Sequence, residues 1–569
     1  MKLKYLLSWM LMLASMVLPA YGQENFQISG KVVDDTDLPI PGVTIYLRDK
    51  ISIGTTTDND GKFSIKVSRG DMIIFRYIGF KEVEYLSTEA KSDIKIKFTE
   101  KAEELEEVMV VGLGTQRKIS NVAAVSSVNV KDLQTPAASI ANLLGGRAPG
   151  VISLQSSGEP GKNISEFWIR GIGTFGANSS ALVLIDGLEG NINSIDPADI
   201  ESFSILKDAS ATAVYGVRGA NGVVLITTKR GQVDKLTITA RANATLSHLT
   251  RLPQYLRAYD YGMLANEARQ VRGETPIYSD VELDIIQDGT DRDIYPDVSW
   301  QDEVLRPNGF RNSFYASARG GAQVARYFLS LGTSSDQAAY KYDKSSVYAA
   351  NTGYKTYNYR TNIDLELSPT STLFFGTDGF LSVNNNPGVA NTDLIWYSQS
   401  NLNPLLLPLR YSNGQLPATS NVGSLRSPLV MINQMGRRTD QSFLGKFTLA
   451  LDQKLDFILP GLKIRGQGAY DVQSFFSESR LLAPALYQAV GRDQAGELIT
   501  IERVRASTVS YGKSTNQFRK YHFESTLNYE KRIGDNHRTS ALVYYYLSDQ
   551  KRASDGTNNL NSIPIRYQG

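Results

Sequence analysis

The sequence predicts a mainly β protein: a small immunoglobulin-like or transthyretin-like β-sandwich, then a glycine-rich α+β module, then part of a transmembrane antiparallel β-barrel. Three observations carry this. Residues 26–98 hold short alternating runs at regular spacing, divided by turn residues. Residues 165–231 hold three short runs rich in Val, Ile and Leu, with Gly, Asn, Asp and Pro between them. From about Val233 the pattern becomes long two-residue alternation. Leu236, Ile238, Ala240, Ala242, Ala244 and Leu246 share one face, and Thr237, Thr239, Arg241, Asn243 and Thr245 the other. Tyr357, Tyr359, Thr361, Ile363, Leu365 and Leu367 oppose Asn358, Arg360, Asn362, Asp364 and Glu366. The pattern recurs around Phe443–Leu451, Leu462–Val472 and Tyr521–Tyr529. Membrane strands need about 10 residues with apolar side chains outward and polar ones inward.

Composition excludes several classes. The 569 residues carry 60 Lys+Arg against 58 Asp+Glu, a net charge of +2, so nothing marks a nucleic-acid binder. There is no cysteine, which rules out disulfides, thiolate metal sites, a cysteine nucleophile and lipid attachment through cysteine. The three histidines, His248, His522 and His537, are not at metal-ligand spacing, so no metal and no cofactor is expected. No nucleophile–base pair or phosphate loop is found, and the chain reads as a non-enzyme. The 30 tyrosines suit the aromatic girdles of a barrel, although any β-rich protein uses Tyr.

In chain order, residues 1–22 read as a secretory signal peptide. Lys2 and Lys4 precede an apolar stretch, and Ala20-Tyr21-Gly22 offers small residues for cleavage. No later stretch is apolar for the ~20 residues of a membrane helix, so any crossing falls to strands. Residues 23–100 form the sandwich, with strands expected at 26–32, 43–47, 62–67, 72–77 and 94–98. Asp58, Asn59 and Asp60 lack the distal Glu and flanking helices of an EF-hand, so 57–61 reads as a hairpin turn. Residues 101–117 open as an acidic connector with Glu100, Glu103, Glu104, Glu106 and Glu107 around its start.

The α+β module spans 118–232. Ile140-Ala141-Asn142-Leu143-Leu144 has helical spacing and stops at Gly145-Gly146. Residues 167–169, 181–185 and 222–228 read as buried strands, with Asp186-Gly187 as a tight turn. Asp196-Pro197 reads as a helix start, with Ile200, Phe203, Ile205 and Leu206 as an irregular apolar cluster behind it. Gly171-Ile172-Gly173-Thr174-Phe175-Gly176 matches G-x-G-x-x-G, but a turn and a strand follow where a dinucleotide site requires a helix. Beyond 233, a helix is expected within 253–273, and 384–434 is a long Asn-, Pro-, Gly- and Leu-rich connection.

Several of these runs resemble a known family. Ile185-Asp186-Gly187, Asp199-Ile200-Glu201-Ser202, Leu206-Lys207-Asp208-Ala209-Ser210-Ala211-Thr212-Ala213 and Val214-Tyr215-Gly216 lead into Arg218-Gly219-Ala220-Asn221-Gly222-Val223. Together they resemble the plug domain of SusC/RagA-type TonB-dependent outer-membrane transporters. Gly30-Lys31-Val32, Pro39-Ile40-Pro41-Gly42-Val43 and Thr57-Asp58-Asn59-Asp60-Gly61-Lys62-Phe63 resemble the carboxypeptidase-regulatory-like domain, which is non-catalytic. Glu107-Val108-Met109-Val110-Val111-Gly112 resembles the family's TonB box. The likeness runs at least to Ser335.

The resemblance implies active import of a nutrient, a glycan or oligosaccharide or else a peptide, across the outer membrane. TonB, powered through ExbB and ExbD, would add a strand to the box and remodel the plug. A SusD-like surface lipoprotein is the implied partner, outer-membrane lipid surrounds the barrel, and the sandwich and box lie in the periplasm. Arg170, Gly171, Asp186, Gly187, Lys207, Asp208, Tyr215, Gly216, Arg218, Gly219 and Gly222 are expected as structural or gating residues where plug meets barrel, with intra-plug ion pairs as the alternative for the charged ones. The rival functions are a signal-transducing receptor and a glycan-binding adhesin. Plugged transporters of this kind close with about 22 strands. Residues 233–569 show only about ten by the alternation test, so the barrel is expected to be incomplete, from a truncated, split or partial sequence.

Overall fold

The computed structural model describes residues 25–34, 37–48, 50–77, 80, 82–99, 108–111, 114–117, 125–172, 179–250, 252–343, 352–419, 426–533, 537–554 and 565–568. The signal-peptide reading of 1–22 lies outside them. The chain divides into two compact units, Met1–Val108 and Met109–Gly569.

The first unit is a sandwich of two sheets. Its strands are β1 (Asn25–Val33), β2 (Thr44–Leu47), β3 (Lys50–Thr56), β4 (Lys62–Ser68), β5 (Met72–Arg76), β6 (Val83–Leu86) and β7 (Lys91–Lys97). One sheet runs β4-β1-β7, the other β3-β2-β5-β6. Alternation decides the faces: on β4, Phe63, Ile65 and Val67 point inward while Lys62, Ser64 and Lys66 are exposed. Those side chains meet Ile28, Val32, Ile45, Ile73, Phe75 and Phe98 in one core. Phe63 and Phe75 pack edge to face, ring centroids 5.1 Å apart. Residues 57–61 are a turn but not a hairpin, because β3 and β4 belong to different sheets. Asp58 Oδ1 accepts from the backbone N–H of Asp60 (3.0 Å) and Lys62 (2.8 Å), so its carboxylate closes the crossover.

Next come two short paired strands, β8 (Val108–Val111) and β9 (Gly114–Arg117). The α+β module follows with β10 (Val125–Val128), β11 (Val151–Leu154), β12 (Glu166–Ile169), β13 (Leu182–Ile185), β14 (Leu188–Glu189), β15 (Ile200–Leu206) and β16 (Val223–Thr228). Its main sheet runs β10-β15-β16-β13-β14, with β13 and β16 parallel. The central strands are buried on both faces, which is why they read as continuous apolar runs. Val224 and Ile226 join Ile185, Ile200, Phe203 and Ile205 on one side. Val223 and Leu225 join Leu182, Leu184 and Leu206 on the other. Each such side chain contributes about 1.5–3 kcal/mol by leaving water.

The expected helix after Asp196-Pro197 is corrected here. Asp196 does cap a turn, accepting from Ala198 N–H at 2.8 Å, but the turn is a single 3₁₀ element, Pro197–Asp199. Ile200–Leu206 is then strand β15, hydrogen-bonded to β10 and β16. Pairing between two strands, with β-branched Ile at 200 and 205, overrides the local helix signal. The helix Ile140–Leu144 is present, with Ser139 as N-cap and Gly145 as C-cap.

The rest of the second unit is a ten-stranded antiparallel sheet, here called the wall. It comprises β17 (Asp234–His248), β18 (Asn308–Gly321), β19 (Ala325–Gln337), β20 (Gly353–Ser368), β21 (Ser371–Pro387), β23 (Gly436–Lys454), β24 (Leu462–Leu481), β27 (Ser510–Ile533), β28 (His537–Ser554) and β29 (Ile565–Gln568). Strands β22 (Leu416–Pro417), β25 (Leu486–Arg492) and β26 (Leu498–Val504) form a separate small sheet within the loops. The nine strands from β17 to β28 in the wall are 13–24 residues long, beyond the ~9–11 that cross a bilayer. Connections at one end are short (322–324, 369–370, 455–461), while those at the other are long (249–307, 388–435, 482–509). The long ones hold helices Ala258–Gln270, Asp280–Asp288, Trp300–Val304, Asp393–Asn401 and Pro428–Asn433. Only the first was expected from the sequence.

The wall is inverted relative to a soluble sheet. Leu236, Ile238 and Leu246 on β17 are 57%, 70% and 70% exposed, as are many apolar residues on later strands. Arg360, Asn362, Gln467 and Glu524, on the opposite face, are buried against the α+β module. Among the described residues no helix is long and apolar enough to cross a membrane.

Candidate functional site: the interface between plug and wall

The module's hairpin, its 3₁₀ turn and the end of β16 converge on the charged face of the wall. The hairpin exists because Asp186 and Gly187 both adopt positive φ (52° and 88°), the geometry of a two-residue turn that Gly tolerates without strain. Asp186 is held by its own module: its Oδ1 accepts from Thr228 N–H (2.9 Å) and its Oδ2 from the Thr228 hydroxyl (2.6 Å).

Arg360 of β20 is the centre of the interface. It is 5% exposed and faces three carboxylates: Asp378 on the wall (3.4 Å), Asp199 (3.6 Å) and Asp186 (4.0 Å) on the module. The Asp199 contact through Nε exceeds hydrogen-bond length, so it is electrostatic. Asp199 is 1% exposed and also accepts from the Tyr315 hydroxyl of β18 at 2.7 Å. Burial pushes its carboxyl up to about 6, against the opposing pull of Arg360, and neighbouring Asp196 raises it further.

Other contacts surround this centre. Arg241 of β17 reaches Asp196 at 3.1 Å. Asn362 Nδ2 donates to Thr228 Oγ1 (2.9 Å) and to the Lys229 carbonyl (2.8 Å). Arg230 pairs with Asp364 (3.3 Å) and lies over the Phe374 ring, 3.4 Å from its centroid. Arg319 donates to the Arg230 carbonyl at 2.7 Å, and Gln467 to that of Asp186 at 3.3 Å. Glu189 takes Lys520 (2.7 Å) and Arg218 (2.9 Å), while its carbonyl accepts from Lys446 (2.7 Å). Hydrogen bonds and ion pairs therefore tie one small module to strands of the wall from β17 to β27. Water can replace polar contacts of this kind wherever such surfaces part.

The residues anticipated from sequence divide into two groups. Asp186, Gly187 and Arg218 do face the wall: a Cβ on Gly187 would stand 3.4 Å from Glu524 Oε1, and Arg218 lies 5.6 Å from the Tyr546 ring centroid. Tyr215 packs against the cluster of Leu182, Leu184, Leu206, Val223 and Leu225, with Glu524 nearby. The remaining contacts are made within the module. Arg170 pairs with Asp208, Lys207 lies against Gly150, and Gly219 approaches the Thr212 carbonyl. Gly222 (φ 87°) would place a Cβ 2.7 Å from Ile169. Gly171 and Gly216 hold positive φ. For Arg170, Lys207, Asp208, Gly219 and Gly222 the expected meeting with the wall is corrected to contacts within the module, and for Arg170 and Asp208 the intra-plug ion pair holds.

Sequence reasoning missed Asp199, Glu189, Thr228, Lys229 and Arg230. Their signal was the polar face of the alternating strands, where Arg241, Arg360, Asn362 and Asp364 already stood in view. Of the TonB-box residues, Val108–Val111 form strand β8, while Glu107 and Gly112 lie outside the described residues. The described residues hold no group of three or more His, Cys, Asp or Glu able to bind a metal.

A mixed α+β module tied to the charged face of an antiparallel sheet whose opposite face is apolar and exposed is the arrangement of plugged outer-membrane receptors. Comparison with known proteins agrees. Residues 117–223 match the TonB-dependent Receptor Plug Domain, and residues 28–110 the CarboxypepD_reg-like domain. The chain is similar to TonB-dependent receptor P26 of Formosa agariphila, 32% identical over 357 residues, 61% of this chain and 34% of that protein. It is similar to TonB-dependent receptor SusC of Bacteroides thetaiotaomicron, 27% identical over 463 residues, 78% of this chain and 44% of that protein. In fold it resembles the RagAB peptide importer in its 'open-open' state (TM-score 0.60, 19% identity, 81% of this chain, 53% of that one). The chain spans 28–44% of the length of the curated relatives it matches. It carries a TonB-dependent receptor plug domain and a CarboxypepD_reg-like domain, and the relatives it is similar to are TonB-dependent receptors, SusC among them.

Proposed function

We propose that this chain serves TonB-dependent import of a nutrient across the bacterial outer membrane, without chemistry of its own. The observation that carries the reading is the interface itself: a plug held by hydrogen bonds and ion pairs to the inner face of a sheet whose outer face is apolar. On this reading residues 1–22 direct export and 23–100 form the sandwich. Residues 101–117 carry the TonB box, 118–232 the plug, and 233–569 part of a barrel. The sandwich and box face the periplasm, and the long connections face the exterior. TonB and a surface lipoprotein of the SusD type are the partners. The ligand is a glycan or a peptide, and the likeness in fold to the RagAB peptide importer supports the second.

Strand addition to Val108–Val111 would couple TonB to the plug. These residues are already extended, and Val at 108, 110 and 111 favours that state. The test is capture of the detergent-solubilised chain by the C-terminal domain of TonB. Val110→Pro removes an N–H and restricts φ, and should abolish capture while leaving the plug seated. Undiminished capture of that variant would remove this segment from the mechanism.

A further inference from the structure

A cavity of about 280 Å³ opens at the end of the wall that bears the long connections. Its floor is a plug turn, Ser157 to Pro160, and its sides come from the loops: Leu249, Leu252, Leu305 and Trp396. At its polar end stands Glu159, 8% exposed. The carboxylate's partner is the hydroxyl of buried Tyr340, donating to Oε2 at 3.4 Å, a long contact. Among the described residues no Lys, Arg or His makes an ion pair with it. This buried carboxylate therefore has room for a cationic partner, which a ligand could bring.

We propose that this cavity binds the N-terminal residue of a peptide, with the α-ammonium at Glu159 and an apolar side chain against Trp396 and the leucines. This rests on the reading of the chain as an import receptor, and it names the ligand class that reading left open. Three features select a peptide terminus. The volume suits one residue and not a long chain. The walls are mostly apolar, and the buried carboxylate at the polar end has no cation beside it among the described residues, a charge that an ammonium supplies and a neutral sugar does not. An α-ammonium also sits one carbon from its own side chain, so a single residue meets both the charge and the apolar wall. Because Glu159 belongs to the plug and Trp396 to the loop helix Asp393–Asn401, such a ligand touches both at once.

The test is calorimetric titration of the solubilised full chain with Leu-Gly-Gly, N-acetyl-Leu-Gly-Gly and maltotriose. Leu-Gly-Gly should bind, and acetylation should weaken binding about ten- to hundredfold, the range for a hydrogen bond to a charged group. Glu159→Gln should weaken Leu-Gly-Gly by the same factor and leave the acetylated peptide unchanged, which also shows that the variant is folded. Leu252→Trp, at the 39%-exposed rim, should block both peptides. Four results overturn the proposal: no binding of Leu-Gly-Gly to the unaltered chain, equal binding of both peptides, a free-amine preference that survives Glu159→Gln, or displacement of Leu-Gly-Gly by maltotriose. None of these affects capture by TonB, so the two readings fail separately.

Discussion

Replacing Arg360 by Met tests the seating of the plug most directly. Met retains a flexible apolar stem of similar reach but no charge. Asp186, Asp199 and Asp378 would then surround a site with no cation, two of them on the plug and one on the wall. Removing one partner from a buried ion cluster costs roughly 3–5 kcal/mol, and Arg360 is buried enough that solvent screening does not discount it. At 1.36 kcal/mol per decade, that accelerates local opening by about two to four decades. Hydrogen exchange of the amides of Ile200–Leu206 and Val223–Thr228 in the solubilised chain reads this opening. The pH dependence has a definite sign. Asp199 sits at about 6 against 3.8 for a free carboxyl, so between those values the native state keeps a proton that the unfolded chain has released. Stability from this group is therefore present below about pH 4 and declines as pH rises to about 6, by about 3 kcal/mol. Without Arg360 its carboxyl moves higher still, so the Arg360→Met defect should be largest at pH 7.5 and smaller at pH 5. Asp199→Asn in the same chain should recover part of it at pH 7.5. Exchange in Arg360→Met within threefold of the unaltered chain at both pH values would refute the argument.

Three further outcomes are expected. Gly222→Ala forces φ 87° on a residue with a Cβ and drives that Cβ to within 2.7 Å of Ile169, which should destabilise the plug by about 1–3 kcal/mol in urea unfolding, whereas Gly70→Ala, whose Cβ meets nothing, should cost less. Arg492 of β25 joins Asp291 and Asp293 of another loop at 2.8 Å each, and its hydrogen bonds hold the Asp291 carboxyl below the ordinary range. A lowered carboxyl stabilises above about pH 4 and loses that effect as pH falls, so Arg492→Ala should hasten proteolysis of the long loops at pH 7 but matter little at pH 3. In the sandwich, an isolated segment 23–100 should unfold cooperatively, and Phe75→Ala, which empties a fully buried position, should cost about 3–5 kcal/mol by calorimetry.

Much of the architecture was legible because it is written in local periodicity and turn stereochemistry. Two-residue alternation located β17, β20, β23, β24 and β27 and showed which face meets lipid, since a strand cannot hide its period. Asp186-Gly187 marked a hairpin because few dipeptides accept two positive φ values in succession. Gly145 ended a helix for a similarly local reason. Ser279 and Glu282 form a capping box that begins the helix Asp280–Asp288, a local signal left unread.

The tertiary structure alone decided the rest. Asp196-Pro197 begins a helix as a fragment, yet β10 and β16 flank the following residues and convert them to strand. Residues 57–61 read as a hairpin turn until Asp58 is seen closing a crossover between two sheets. Arg360 is one of many charges on a polar strand face until folding sets Asp186 and Asp199 around it. Lys520 and Glu189 meet across 331 residues of sequence, and no local pattern encodes which cation finds which carboxylate. Alternation states that a face is charged. Register, strand order and the seat of the plug determine which of those charges are buried together, and burial gives them their energetic weight.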